Sequence, residues 1–158
     1  MDIREPDPPG SEPAQGRETP RVRSIMQTNI IRAGMDTTLG EAMTILLQHR
    51  IRHLPVVDNH GRLAGLVTDR DLRLHISHRL GTIMENNADR EALRHHLHVI
   101  MVRRVVTAGP DMTVQEAAQK LLDNHIGCLP VVDADRRLVG IVSTGDFLRL
   151  LAETGPAD

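Results

Sequence analysis

Two places in this chain set a hydroxyl three residues ahead of an aspartate: Thr68 with Asp71, and Ser143 with Asp146. A pair of this kind at a helix start has two available jobs. It can cap the helix, because the side-chain oxygens satisfy backbone N–H groups that have no partner in the first turn. It can also hold a ligand, because an ionised aspartate is acceptor-only and takes two hydroxyl protons. One such pair on its own favours capping.

The two pairs are related. Shifted by 75 positions, the chain lines up with itself without a gap, Glu41 falling on Glu116, and about 20 residues between Met26 and Ile76 are matched by identical ones. A repeat at a fixed offset has to be explained before any local motif. Two copies are too few for a solenoid, so the pattern predicts a pseudo-symmetric pair with two related clefts. The scaffold positions agree (Leu54/Leu129, Pro55/Pro130, Gly65/Gly140, Asp71/Asp146), while Arg52-His53 is replaced by Gly127-Cys128 and Arg70 by Gly145.

The elements that must position these residues are read from periodicity and turn chemistry. The first copy opens with a helical turn at RSIM and a short strand at Asn29-Ile30-Ile31-Arg32. Thr38 and Glu41 have capping-box spacing ahead of a helix that sets Leu39, Ala42, Met43, Leu46 and Leu47 on one face and ends near Arg50. Strands at 53–57 and 63–67, joined through Asn59-His60-Gly61, lead to a short helix from Asp69 to about Ile76. The second copy repeats the order with a strand at Val105–Thr107, a helix at Thr113–Asn124, strands at Cys128–Val132 and Leu138–Val142, and a helix at Thr144–Leu151. Pro55 and Pro130 suit an edge or a strand entrance, since proline cannot donate to a ladder. Residues 77–98 have no partner in the repeat. There a connecting helix is expected from Asp89, with Leu93 and Leu97 on one face. Residues 1–20, rich in Pro, Gly and Glu, are expected to be a disordered tail, and 153–158 form a C-terminal tail.

The composition excludes several functions. A net charge of −2 gives no electrostatic reason to expect a nucleic-acid partner. With no Trp, no Tyr and Phe147 as the one aromatic, stacking platforms for single strands are missing. No apolar run approaches the ~20 residues of a membrane helix, and the N-terminus is not a signal peptide. Cys128 is the only cysteine, so the expected setting is a reducing one, the cytoplasm. The histidines do not make a metal site: His49 and His53 straddle a helix end and a strand, and His95, His96 and His98 lack further ligands at metal spacing. No phosphate loop, nucleophile elbow or acid pair is present, and no enzyme activity is expected.

The pattern of Thr, a helix with Glu-Ala, then Ile-Arg-His-Leu-Pro-Val-Val-Asp and Gly-Leu-Val-Thr-Asp-Arg-Asp, resembles the CBS domain over about residues 22–151. Two such domains in tandem form a Bateman module, and the chain looks most like stand-alone bacterial and archaeal members, including the acetoin-utilisation type. The resemblance implies an α+β fold of two β-α-β-β-α repeats, 21–76 and 99–152, packed through their sheets about a pseudo-two-fold axis. It also implies a homodimer and two clefts that bind adenosine-containing ligands: AMP, ADP or ATP, with NAD or S-adenosylmethionine further candidates. The aspartate would take the ribose hydroxyls, and the Thr or Ser with nearby N–H groups would meet a phosphate. One cleft would combine Leu66, Thr68, Arg70 and Asp71 with Val105, Ile126, Gly127 and Cys128. The other would combine Ile141, Ser143 and Asp146 with Thr28, Ile30, Ile51, Arg52 and His53. Such a module would regulate an unidentified protein target. The competing reading is a ligand-silent CBS dimer that serves as an interaction scaffold.

Overall fold

A computed structural model of the chain describes residues 19–76, 78 and 80–155. The expected N-terminal tail lies outside these residues except for Thr19 and Pro20, as do 156–158. In chain order the elements are α1 (Val22–Ile25), β1 (Ala33–Gly34), α2 (Leu39–His49), β2 (His53–Val57), β3 (Leu63–Thr68), α3 (Asp69–His75), α4 (Asn87–Ala92), a 3-10 turn at Leu97–Val99, α5 (Val114–Asn124), β4 (Cys128–Val132), β5 (Leu138–Ser143) and α6 (Thr144–Thr154).

Each repeat is built on an antiparallel hairpin, β2 with β3 and β4 with β5, and the two registers are the same: Leu54 faces Val67 as Leu129 faces Val142. The hairpin turns show how different residues reach one geometry. Gly61 and Arg136 both adopt a left-handed backbone, at φ 76° and 62°. In each turn an aspartate oxygen, from Asp58 or Asp133, accepts N–H bonds from residues two and four further on.

Two short strands differ from expectation. No strand forms at Asn29–Arg32; β1 is the next two residues, Ala33 and Gly34, parallel to Val56 and Val57. The strand expected at Val105–Thr107 is reduced to one parallel bridge between Ala108 and Val131. In the first repeat Ile30 and Ile31 face a cavity and in the second Val106 packs on the core, and in both the pairing begins only at the equivalent alanines, Ala33 and Ala108. Helix α2 buries Leu39, Ala42 and Leu46 but leaves Met43 and Leu47 exposed, so the apolar stripe is wider than the buried face. The connecting helix is only α4, capped by Asn86, and Leu97 lies beyond it in the 3-10 turn. At the other end α6 runs on to Thr154.

The repeats are joined by exchanged segments. Val22, Ile25 and Met26 open the first repeat yet pack in the core of the second, around Leu129, Val131 and Val142. Leu97, Ile100 and Met101 stand at the start of the second and pack in the core of the first, around Leu54, Val56 and Val67. Isolated bridges follow the same rule: Gln27 pairs with Ile141 and Leu66 with Val102, Arg21 with Thr113 and Thr38 with His96. Adding 75 to one member and subtracting it from the other turns each bridge into its counterpart, which is the signature of a pseudo-two-fold axis. Sheet therefore meets sheet, with Arg62 bridged to Arg137 near the axis. The glycines of β3 and β5 make the exchange possible. A Cβ on Gly65 would lie 2.6 Å from the Met101 sulfur and 3.0 Å from the Val102 carbonyl oxygen, and one on Gly140 would lie 2.5 Å from the Met26 sulfur.

Candidate functional site

A cavity of about 760 Å³ opens between the repeats at the start of α6. Its wall is contributed by four stretches of chain: the segment around Gln27, Asn29, Ile30 and Ile31, the end of α2 into β2, Gly127 and Cys128 at the start of β4, and the β5–α6 junction.

The β5–α6 junction is fixed first. The Thr144 N–H donates to the Gly127 carbonyl at 3.0 Å, just as the Asp69 N–H donates to Arg52 at the equivalent place in the first repeat. This ties each helix start to the residue before its neighbouring strand. Asp146, in the first turn of α6, is 5% exposed and accepts four hydrogen bonds. Its Oδ2 takes the Ser143 N–H at 2.8 Å and the Ser143 hydroxyl at 3.1 Å; its Oδ1 takes Gln27 Nε2 and an Arg149 guanidinium N–H, each at 2.9 Å. Burial works against ionisation, but the donors from Ser143, Gln27 and Arg149 outweigh it and hold this carboxyl below the usual aspartate value. Asp146 is therefore a buried, charged acceptor at the cavity wall.

Gln27 reaches Asp146 because its backbone is laid along β5. The Gln27 N–H donates to Ile141 and the Ile141 N–H to Gln27, at 2.8 and 3.0 Å. On the opposite side, α2 ends with Arg50 in a left-handed conformation, φ 53°, which turns the chain sharply into Ile51, Arg52 and His53. The His53 ring is half-buried and stands over Gly127: a Cβ there would lie 3.6 Å from its Cε1 and Nε2. Burial is the main force lowering the His53 pKa; Asp69 and Asp71 oppose it and Arg52 adds to it. Cys128 closes the floor, 2% exposed, its thiol pushed up to about 12 by burial.

The cavity thus brings together Ile30, Ile51, Arg52, His53, Ile141, Ser143 and Asp146, which were expected in one cleft. Thr28 is exposed and lies between two wall residues without being one itself. Gly127 and Cys128, expected opposite Thr68 and Asp71, line this cavity. None of the remaining residues of the other expected cleft lines this cavity, and Ile126 lines a groove between α5 and α6 instead. Leu66 exchanges backbone hydrogen bonds with Val102, Val105 is half-buried, Ile126 packs on the second core, and Arg70 is exposed at the start of α3. There Asp71 Oδ2 takes the Thr68 N–H at 2.9 Å and the Thr68 hydroxyl at 2.8 Å, and the hydroxyl accepts the Asp71 N–H. Capping is thus part of what these pairs do.

Sequence reasoning missed Gln27, Asn29, Ile31, Arg50, Thr144, Gly145 and Arg149 at the Asp146 cavity. Arg149 carried a signal, being one helical turn beyond Asp146. Gln27 carried none, being 119 residues away. Among the described residues no cluster of His, Cys, Asp and Glu is arranged to hold a metal ion, and no helix is long and apolar enough to cross a membrane.

The CBS domain family matches the chain twice, over residues 22–78 and 97–153. A CBS domain-containing protein of Dictyostelium discoideum is 42% identical over 132 residues, covering 82% of this chain and 90% of the relative. Other relatives are much longer: the chain is 37% identical to the L-aspartate semialdehyde sulfurtransferase of Methanocaldococcus jannaschii but spans only 23% of it. Among solved structures, the CBS domain pair of protein MJ0100, in complex with 5′-methylthioadenosine and S-adenosyl-L-methionine, superimposes with a TM-score of 0.70 at 34% identity, covering 87% of this chain and 99% of that one. AcuB of Vibrio cholerae gives 0.73 at 27% identity, with coverage of 86% and 93%. CBSX2 in complex with AMP gives 0.73 at 25%, with coverage of 85% and 98%. Repeat, exchanged segments and family match agree, and the chain belongs to the CBS domain family, of which it carries two copies.

Proposed function

We propose that the chain is a regulatory module that binds adenosine-containing ligands in two non-equivalent clefts between its repeats and passes the resulting change to a protein partner. The observation that carries this reading is the cavity at Asp146. It sets a buried, ionised acceptor, four isoleucines and several cationic groups around one space to which both repeats contribute. Each part suits a different piece of a nucleotide. Asp146 would accept the ribose hydroxyls, Ile30, Ile51 and Ile141 would enclose the adenine, and Arg52, His53 and the α6 N-terminus would face a phosphate. MJ0100 and CBSX2, which share the fold, are complexed with ligands that have an adenosine moiety in common. In the second cleft, Thr68 and Asp71 would act with Leu66, Arg70, Val105, Ile126, Gly127 and Cys128. AMP, ADP and ATP are the favoured ligands, ahead of NAD and S-adenosylmethionine.

A ligand acts as a switch only if it binds one arrangement of the repeats better than another. The exchanged segments give a route, since Gln27 touches Asp146 through its side chain and β5 through its backbone. The reading includes a homodimer. Leu47, Leu74, Leu122 and Leu148 are all more than 60% exposed, and apolar grooves lie at equivalent positions between α2 and α3 and between α5 and α6. Burying such faces against a second copy is favourable by roughly 25 cal/mol per Å². These same faces, together with the capping role of both hydroxyl–carboxylate pairs, support the second reading, a ligand-silent scaffold.

The test is calorimetric titration with AMP, ADP, ATP, NAD and S-adenosylmethionine. Without Trp or Tyr the protein absorbs little at 280 nm, so co-purified nucleotide would stand out at 260 nm. Saturable binding of at least one ligand is expected; no binding by any of them would leave the scaffold.

A further inference from the structure

We infer that Arg149 makes the Asp146 cavity selective for adenosine ligands bearing a 5′ phosphate over neutral adenosines of the same ring system. This rests on the proposal that the cavity takes an adenosine-containing ligand, and adds which chemical class it admits.

Both oxygens of Asp146 are already in use. Oδ2 belongs to the cap, holding the Ser143 N–H and hydroxyl. Oδ1 holds one N–H from Gln27 and one from Arg149, each at 2.9 Å, and a carboxylate oxygen has two lone-pair sites. A ribose diol can reach this oxygen only by replacing those two donors. The exchange is balanced in hydrogen bonds, two hydroxyls for two N–H groups, but not in charge. Gln27 is neutral and exposed, and water satisfies its amide once it lets go. Arg149 would leave its counter-ion while Arg50 and Arg52 also line the cavity, and among the described residues Asp146 is the only carboxylate in the wall.

A phosphate on the incoming ligand resolves this. The Arg149 side chain is 60% exposed on α6 and has room to swing. Its planar fork matches phosphate oxygens as well as it matches a carboxylate. A neutral thioether at the same 5′ carbon offers no replacement charge, so its binding bears the whole cost of separating Arg149 from Asp146. The other junction has no such gate: the positions equivalent to Arg149 and Gln27 are Leu74 and Val102, neither of which has a side-chain donor. Selection by charge is therefore a property of one cleft only.

The test is a titration of the full chain with AMP and with 5′-methylthioadenosine, following the backbone amide resonances of Ser143 and Gly145, which report on this cleft and not its counterpart. The expected result is AMP binding at least about tenfold tighter, the scale of one charge-assisted contact. In Arg149→Gln, which keeps a donor for Asp146 but removes the charge, AMP should weaken about tenfold while 5′-methylthioadenosine holds or improves. Arg149→Lys should retain most of the preference. Equal binding of the two ligands by the wild type, or an unchanged ratio in Arg149→Gln, would overturn the inference and leave the adenosine reading intact. If neither ligand moved these resonances, the adenosine reading of this cleft would fall as well.

Discussion

Replacing Gly65 by alanine tests the exchanged segments on which the whole arrangement depends. The added methyl would sit 2.6 Å from the Met101 sulfur, 2.7 Å from its Cγ and 3.0 Å from the Val102 carbonyl oxygen. Met101 is 6% exposed and packed in the first core, so it cannot swing aside into solvent. Overpacking of this kind costs about 1–3 kcal/mol. Pushing the segment away would also weaken the two hydrogen bonds between Leu66 and Val102, 3.0 and 2.9 Å long, worth about 1 kcal/mol each. The expected loss is about 2–4 kcal/mol, or on the order of 10 °C in Tm for a chain of this length. Gly34→Ala is the control, because nothing lies within 4 Å of its added carbon and its backbone is not left-handed. Urea unfolding gives the stability, and hydrogen exchange at Leu66 and Val102 gives its location. A Gly65→Ala protein within about 0.5 kcal/mol of the control, or one destabilised without faster exchange at those two amides, would refute the reasoning.

Three further outcomes follow from particular groups. Thr113→Ala removes the hydroxyl that accepts the Glu116 N–H at 3.2 Å and should cost about 1 kcal/mol by thermal melting, with Thr113→Ser close to wild type. Burial holds the His53 pKa below 6.5, so between the two values the unfolded chain binds a proton that the folded one does not. The stability contributed by neutral His53 is therefore complete above that pH and declines as pH falls through it; His53→Gln should flatten this part of the pH–stability profile, and an unchanged slope would contradict the assignment. Cys128, with its thiol pushed up to about 12, should resist alkylation at pH 8 in the native protein and react quickly in urea, whereas rapid native labelling would show an open site.

Much of this was legible in the residues. The capping pairs Thr38/Glu41 and Thr113/Glu116 marked α2 and α5, and the β-branched runs around Pro55 and Pro130 marked the hairpins, because these signals act within a few residues. The gathering of Arg52 and His53 with Ser143 and Asp146 was reached only through the family resemblance, since no local pattern links positions 90 residues apart. What periodicity could not supply is which segment lies on which core. Met26 and Met101 read as part of their own repeats, yet each packs against the other one, and only the repeated Gly65 and Gly140 hinted at a close approach. The same limit hid Gln27 at the cavity. It also left open where Met43 and Leu47 point, because an apolar stripe does not say whether its outer edge faces the core or solvent.

The central claim, that an adenosine ligand lies between the repeats on Asp146, is tested most directly by a crystal structure of the protein grown with AMP. The account predicts ribose hydroxyls within hydrogen-bonding distance of the Asp146 carboxylate, with adenine among Ile30, Ile51 and Ile141. AMP bound elsewhere on the chain, or an Asp146 still held by Gln27 and Arg149 at saturating AMP, would contradict it.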